Sequence, residues 1–134
     1  MYKRQELGWN QYGGWRVGIR SLDGKRYWYY AHLRKDHPFH YSLSEGQTIE
    51  AGQVIGYVGM TGYSSKENVN GMQKPHLHFG LQLIFDESQK DGNGEIWVDV
   101  YNIVDLLQRN TMRVSKNAET KDYDSQAKIF PLNS

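Results

Sequence analysis

The sequence predicts an all-β domain with one short helix near the C-terminus. Three segments indicate this class: a hairpin pattern over residues 15–33, a glycine-punctuated run over 45–62 and an alternating run over 75–85. Aromatic residues make up 13% of the chain, and they favour strands. A length of 134 residues suits one domain with a real core and leaves little room for a second.

The first predicted element is a hairpin, carried by "GWRVGIRSLDGKRYWYYAHL". Residues 15–20 alternate apolar and polar side chains, as a half-buried strand does. Asp23-Gly24 is a strong signal for a tight turn, and residues 25–33 return as an aromatic strand. If that strand is regular through its end, His32 shares a face with Trp28 and Tyr30.

The second predicted element is a set of short strands. A polar loop, "RKDHPFHYSLS", leads into "EGQTIEAGQVIGYVGMTG", in which β-branched residues are interrupted by five glycines. This pattern predicts short, tightly turned strands that pack at close range. The segment "YSSKENVNGMQK" after it is predicted to be a loop.

The third predicted element is a strand over residues 75–85, "PHLHFGLQLIF". One face is wholly apolar and is predicted to face the core; it carries Leu77, Phe79, Leu81, Leu83 and Phe85. The other face is mostly polar and should line a groove or solvent; it carries His76, His78, Gly80, Gln82 and Ile84. The two histidines therefore project on one side, roughly 6.6 Å apart. Gly80 leaves room for something to approach the backbone.

The remaining segments complete the predicted fold. "DESQKDGNGE" reads as a polar loop and "EIWVDV" as another strand. "VYNIVDLLQRN" has apolar residues at helical spacing, which predicts the one helix. Residues 111–134 are polar and lack periodicity, so we predict a tail or linker that is loosely ordered over residues 115–134.

Bulk composition excludes several classes of function. The formal charge is +1, so no strong field points to nucleic acid as a partner. The absence of cysteine excludes a disulfide scaffold and cysteine-ligated zinc. No segment approaches the roughly 18 apolar residues of a membrane span.

Five histidines are the candidates for chemistry. His76 and His78 could ligate a metal, since neutral imidazole is a favoured zinc ligand, or could be surface residues of a half-buried strand. His32 is either a third site residue or a histidine at the end of an aromatic strand. His37 and His40 flank Pro38 and are predicted to be solvent-exposed loop histidines.

Three stretches in order carry a family resemblance: "YYAHL", "EGQTIEAGQVIGYVGMTG" and "PHLHFG". Together they closely resemble the lysostaphin-type zinc endopeptidases, which cut peptide cross-links in bacterial peptidoglycan. The resemblance runs from about residue 13 to residue 104. It implies a single antiparallel β-sheet domain of the duplicated-hybrid-motif type with an open groove, peptidoglycan peptides as partners, and an extracellular or cell-wall location.

The resemblance also implies site roles. His78 matches the second histidine of the family's H-x-H motif, a Zn²⁺ ligand. His76 matches the first histidine of that motif, and His32 matches the histidine of Y-x-H-L. These two are expected to flank the reacting water as base or transition-state stabiliser.

The chain departs from the family pattern in three ways. No histidine precedes His32, so the H-x-x-x-D motif that supplies the other zinc ligands has no counterpart, and the family's upstream groove tyrosine is also missing. Residues 63–74 form an unusually long link before "PHLHFG", which should border the groove. Gly80 stands where many relatives carry an acidic residue, so no role passes to it.

The first five residues, MYKRQ, are what the sequencing-adapter end GTGTATAAGAGACAG encodes when GTG is the start codon. We therefore expect residues 1–5 to be adapter-derived, residues 6–110 to be the C-terminal part of a peptidase domain, and residues 111–134 to be the tail or linker. The expected function is a zinc metalloendopeptidase, present as an inactive fragment that lacks the first ligand motif.

Two other functions are consistent with parts of the sequence. A non-catalytic family member would use the groove to bind peptidoglycan or a partner without metal. A lipoyl or sugar-phosphotransferase carrier has turns like "EGQTIEAGQVIG", but no lysine lies between Lys35 and Lys66, which excludes the lipoyl hairpin.

Overall fold

The computed structural model describes residues 2–91 and 94–126, and the side chains of residues 6–89 and 94–126. Its main feature is an antiparallel sheet of five strands in sequence order: β1 (Tyr2–Asn10), β2 (Gly14–Ser21), β3 (Arg26–Ala31), β4 (His78–Leu83) and β5 (Ile96–Trp97). This confirms the predicted all-β antiparallel class.

The central hairpin is the one that the sequence predicts. Strand β2 pairs with β3 so that Val17 lies opposite Tyr30 and Ile19 opposite Trp28. The turn is closed by the Gly24 N–H, which donates to the Ser21 carbonyl at 3.0 Å. Residues opposite one another in an antiparallel pair share a face, so these four side chains lie on the core side of the sheet.

Strand β1 is an edge strand that the sequence analysis does not predict. It pairs with β2 along its length, with Leu7 opposite Val17 and Trp9 opposite Trp15. The backbone of residues 2–5 belongs to this strand. The segment "YKRQELGWN" has no β-branched residue and no sustained alternation, so its strand conformation follows from pairing with β2 rather than from local pattern.

Strand β4 is shorter than the predicted 75–85, and its apolar face is only partly a core face. Phe79 lies opposite Tyr30 and Leu81 opposite Trp28, on the predicted side. Leu77 and Phe85 are exposed, however, and Ile84 is buried. The alternation is lost at both ends because the backbone makes only a single bridge at residue 76 and leaves the sheet after residue 83.

The core lies beneath the β2–β3 face. It consists of Val17, Ile19, Leu33, Leu43 and Ile49, with Trp15, Trp28, Tyr30, Phe39 and other apolar residues packed around it. The glycine-rich segment over residues 45–62 closes this core from the other side. It contains isolated bridges, such as Leu33 with Val58 and Phe39 with Gly56, rather than the predicted short strands. Frequent turns limit each pairing to one residue.

The helical prediction is confirmed by α1 (Tyr101–Arg109). The predicted strand "EIWVDV" is reduced to the two residues of β5, and the loop before it contains a 3-10 helix over Glu87–Asp91. Among the described residues, no helix has the length and apolar character needed to cross a bilayer.

The prediction of loose order from residue 115 is wrong for residues 115–126, whereas the assignment of residues 111–134 as a tail or linker stays a prediction. Strands β6 (Val114–Lys116) and β7 (Tyr123–Ser125) form an antiparallel hairpin. The hairpin is held by polar contacts of Asp122 and Asp124, which hydrophobic periodicity does not register. Residues 127–134 lie outside the described residues.

Candidate active site

His32 reaches the polar face of the sheet because the strand ends one residue before it. Strand β3 stops at Ala31, and His32 has a left-handed backbone with φ of 58°. Its N–H donates to the Gly13 carbonyl at 2.7 Å, and its carbonyl accepts from the Gly59 N–H at 3.0 Å. The prediction that His32 shares a face with Trp28 and Tyr30 is therefore wrong, because regular alternation stops before this residue.

The structure brings together the three histidines that the sequence singles out. His76 precedes β4 and forms a bridge with Gly59, and His78 is the first residue of β4. The ring of His32 lies 4.9 Å from the ring of His76 and 5.6 Å from that of His78, between centroids. The three imidazoles form one cluster, called the histidine cluster below.

Backbone carbonyls fix the tautomers of two members of the histidine cluster. His32 Nδ1 lies 2.7 Å from the Thr61 carbonyl oxygen, and His76 Nδ1 lies 2.9 Å from the Lys74 carbonyl oxygen. A carbonyl oxygen only accepts, so each Nδ1 carries a proton and donates it. When either ring is neutral, its Nε2 has a free lone pair that can bind a proton or a metal.

The electrostatic environment favours the neutral form of His32. Its side chain is almost fully buried, with 4% of the residue exposed. Burial lowers the pKa of His32 below its ordinary value, and the neighbouring His76 and His78 lower it further, while the bond to the Thr61 carbonyl opposes this shift. His76 and His78 are exposed.

The long link over residues 63–74 borders the histidine cluster, as the sequence predicts. The Tyr63 ring is stacked on the His32 ring, with centroids 6.0 Å apart and an interplanar angle of 16°. Tyr63 also makes an edge contact with Tyr12 at 5.9 Å. Its N–H donates to the Tyr12 carbonyl at 3.3 Å, which anchors the start of the link beside the cluster.

A groove of about 660 Å³ continues from the histidine cluster across the polar face of the sheet. It is lined by Glu6, Asn10, Arg16, Tyr27, Tyr29, His78, Gln82, Glu95 and Trp97. Sequence reasoning singles out only His78 as a site residue among these. Tyr27 and Tyr29 could have been found from strand parity, since Tyr29 pairs with Gly80 and Tyr27 with Gln82 on the predicted polar face. No spacing signal points to Glu95 or Trp97.

His37 and His40 lie away from the histidine cluster, and both bind the C-terminal hairpin. His37 Nε2 lies 2.6 Å from Asp122 Oδ1, and His40 Nε2 lies 2.8 Å from Asp124 Oδ1. The prediction of solvent-exposed loop histidines is wrong for His40, of which 5% is exposed. Its partners Asp124 and Ser42 supply the hydrogen bonds that a buried imidazole requires.

The described residues do not complete a zinc site. Over residues 6–89 and 94–126, whose side chains the structure describes, no three side chains among His, Cys, Asp and Glu are arranged to hold a metal ion together. A catalytic zinc normally takes three protein ligands. The exposed His78 can contribute one, while His32 and His76, whose Nδ1 atoms bond to backbone carbonyls, keep Nε2 for either a metal or a proton.

Comparison with known protein families gives a match to the family described as Peptidase family M23, over residues 5–91. A similar curated protein is the L-Ala--D-Glu endopeptidase of Bacillus subtilis (strain 168), 46% identical over 74 residues. Lysostaphin of Staphylococcus simulans is 40% identical over 75 residues, and the glycyl-glycine endopeptidase ALE-1 of Staphylococcus capitis is 39% identical over 75 residues. Each alignment covers 55% of this chain and between 13% and 21% of the relative.

Two solved structures are similar in fold. The catalytic domain of the antimicrobial peptidase lysostaphin from Staphylococcus simulans superposes with a TM-score of 0.52 at 32% identity, covering 78% of this chain and 65% of that one. A structure of lysostaphin itself gives a TM-score of 0.54 at 27% identity, covering 89% of this chain and 46% of the other.

Proposed function

The chain belongs to peptidase family M23, and from this membership we propose that it forms part of a zinc-dependent endopeptidase. The proposed substrates are peptide cross-links of bacterial peptidoglycan, and the proposed location is outside the cytoplasm. The observation that carries the proposal is the histidine cluster, in which His32, His76 and His78 meet beside an open groove. The names of the similar endopeptidases, which specify L-Ala–D-Glu and glycyl-glycine bonds, support a peptide substrate.

We assign different roles to the three histidines. His78 is proposed as the zinc ligand that this chain contributes, and the remaining His and Asp ligands would come from an H-x-x-x-D segment, which its sequence lacks. His32 and His76 are proposed as proton-transfer groups. Their Nδ1 atoms are held by the Thr61 and Lys74 carbonyls, so each Nε2 is available to the substrate and the attacking water.

The tautomers fit the proton movements that peptide hydrolysis requires. The attacking water must lose a proton, and the leaving amine must gain one. A neutral imidazole with a free Nε2 lone pair can accept the first proton and return it as an imidazolium. Burial lowers the pKa of His32, which favours the neutral form that can accept a proton, whereas His76 lies exposed at the surface.

The test uses this chain preceded by an H-x-x-x-D segment taken from a relative, with release of new amino groups from purified peptidoglycan as the measurement. His32→Ala and His76→Ala should each lower turnover by about 10²- to 10⁴-fold, the usual contribution of acid–base catalysis, with zinc content unchanged. His78→Ala should lose both zinc and turnover. Loss of zinc in His32→Ala would instead make His32 a ligand and contradict its assigned role.

The second candidate function is a non-catalytic binding module, favoured by the lack of a complete metal-binding set among the described side chains of residues 6–89 and 94–126. Such a module would bind peptidoglycan with the same groove and hydrolyse nothing. The same experiment separates the two, because a binding module stays inactive when the H-x-x-x-D segment is supplied, yet still sediments with peptidoglycan.

A further inference from the structure

The groove beside His78 has a floor made of aromatic rings that lie close to the sheet. A Cβ atom at Gly80 would lie 2.7 Å from Trp97 Cζ3, and one at Gly18 would lie 2.0 Å from the Tyr27 hydroxyl. Each ring therefore occupies the space that a side chain at the glycine would fill. Trp97 remains 48% exposed, so one part of its ring is available to a ligand.

Tyr29 joins this floor to the histidine cluster. Its ring makes an edge contact with His78 at 5.9 Å and another with Trp97 at 6.4 Å. A ligand that lies on Trp97 is thus within reach of a substrate bound at His78. We call the surface of Tyr27, Tyr29 and Trp97 the aromatic floor.

Polar side chains with both donors and acceptors surround the aromatic floor. Glu6 accepts from the Tyr27 hydroxyl at 3.2 Å, and Glu95 accepts from Trp97 Nε1 at 3.0 Å, which leaves further carboxylate lone pairs available. Asn10, Arg16 and Gln82 add amide and guanidinium donors. Gln82 is 5% exposed, and its Nε2 has no hydrogen-bond partner among the described residues.

The position of the groove limits how a ligand can bind. Gln82 pairs with Tyr27 on one side and with Trp97 on the other, so the groove lies on the face of the sheet and extends to the edge strand β5. The backbone of β4 is already paired on both sides at Gln82, so a ligand above it meets side chains and not free strand hydrogen bonds. Recognition must come from ring faces and side-chain polar groups, a combination that suits a flat-faced, hydroxyl-rich ligand.

We infer that the aromatic floor is a subsite for a pyranose of a glycan strand, an N-acetylated hexosamine, next to the peptide that the histidine cluster acts on. The apolar face of the sugar ring lies on Trp97, and its hydroxyl and acetamido groups bond to the surrounding side chains. The identity of the natural ligand rests on the proposed function, because peptidoglycan carries such sugars beside its peptides.

The experiment titrates the 134-residue chain with tri-N-acetylchitotriose, a soluble oligomer of N-acetylglucosamine, and follows binding by tryptophan fluorescence and by calorimetry. Trp97→Ala should weaken binding by about tenfold or more, and Trp97→Tyr should restore most of it, since an aromatic face is what the sugar requires. Gly80→Ala should weaken binding as well, because its Cβ displaces the Trp97 ring. Tyr41→Ala, an exposed tyrosine beside His40 and outside the groove, is the matched control and should bind like the parent chain.

Pentaglycine, titrated in parallel, tests the alternative that the aromatic floor binds peptide. Binding of pentaglycine that depends on Trp97, without binding of the sugar, would overturn the inference and make the floor a peptide subsite. Sugar binding that is equal in the parent chain and in Trp97→Ala would also overturn it. Hydrolysis plays no part in these titrations, so failure of the proposed enzymatic function would leave their result intact.

Discussion

Thr61 fixes the position and the tautomer of His32 through three hydrogen bonds. Its side chain is fully buried, and the hydroxyl donates to the Leu33 carbonyl while accepting from the Trp15 N–H at 3.1 Å. Its own carbonyl accepts from His32 Nδ1 at 2.7 Å. One residue of the glycine-rich segment therefore ties β2 to the end of β3 and holds the proposed base in place.

Thr61→Val keeps the shape of the side chain and removes the hydroxyl. We expect it to lower the free energy of unfolding by about 1–3 kcal/mol, because the buried carbonyl of Leu33 and the partly buried N–H of Trp15 both lose this partner. Urea unfolding of the chain measures this. Thr61→Ser, which retains the hydroxyl, is the control, and equal stability of the two variants would show that these bonds contribute little.

Individual residues of the candidate site also differ in how well the sequence predicts their positions. The parity argument correctly places His76 and His78 near one another, because both belong to one short extended segment. It fails for His32, whose left-handed backbone carries no sequence signal such as glycine or asparagine. The hydrogen bonds that hold this conformation come from Gly13 and Gly59. Both residues lie far from His32 in the sequence, so no local pattern predicts them.

At the scale of elements, the β6–β7 hairpin is held by a buried carboxylate. Asp122 is fully buried and accepts from the Tyr57 hydroxyl at 2.5 Å, from His37 Nε2 at 2.6 Å and from the Tyr41 N–H at 3.3 Å. All three donors lie outside the hairpin. Burial acts to raise the pKa of Asp122, but these hydrogen bonds outweigh it and lower the pKa to about 2.

Asp122→Ala should therefore destabilise the chain by about 2–4 kcal/mol near neutral pH, since three donors lose their common acceptor. The folded pKa is below the ordinary 3.8, so the contribution of Asp122 is fully present above 3.8 and is lost as the pH falls toward 2. Thermal unfolding across this range should show a steeper acid loss in the parent chain than in Asp122→Ala.

The matched control is Asp124→Ala. It removes the hydrogen-bond partner of His40, and the Asp124 side chain itself is 46% exposed. It should cost less than Asp122→Ala, because Asp124 makes this one hydrogen bond to His40, whereas Asp122 accepts from three donors. An equal loss of stability in the two variants would mean that Asp122 contributes no more to holding the hairpin than Asp124 does.

The elements that the sequence predicts are those with a local signal. The β2–β3 hairpin has Asp23-Gly24 between alternating strands, and α1 has apolar residues at helical spacing. Strand β1 and the C-terminal hairpin depend instead on partners elsewhere in the chain. Polar contacts such as that of His37 with Asp122 join residues 85 positions apart, which no short pattern can register.

At the scale of the whole molecule, the candidate site lies where three parts of the chain meet. The end of β3 supplies His32, the start of β4 supplies His76 and His78, and the glycine-rich segment supplies the carbonyl of Thr61. The fold thus brings the three histidines together. Among residues 6–89 and 94–126, whose side chains the structure describes, it does not place a set of three metal ligands.

Because the described residues bring three histidines together but do not complete a set of metal ligands, we can predict how the 134-residue chain behaves with zinc. We expect a dissociation constant weaker than about 1 µM and little hydrolysis of peptidoglycan, because one exposed imidazole gives a small part of the binding energy of a three-ligand site. Isothermal titration calorimetry with Zn²⁺ at neutral pH provides the measurement, and His78→Ala should abolish whatever weak binding remains. Micromolar or tighter binding that requires His78 would mean that the chain completes a zinc site with its own residues. The assignment of His32 and His76 to proton transfer alone would then be wrong, since these are the imidazoles nearest to His78 in the cluster.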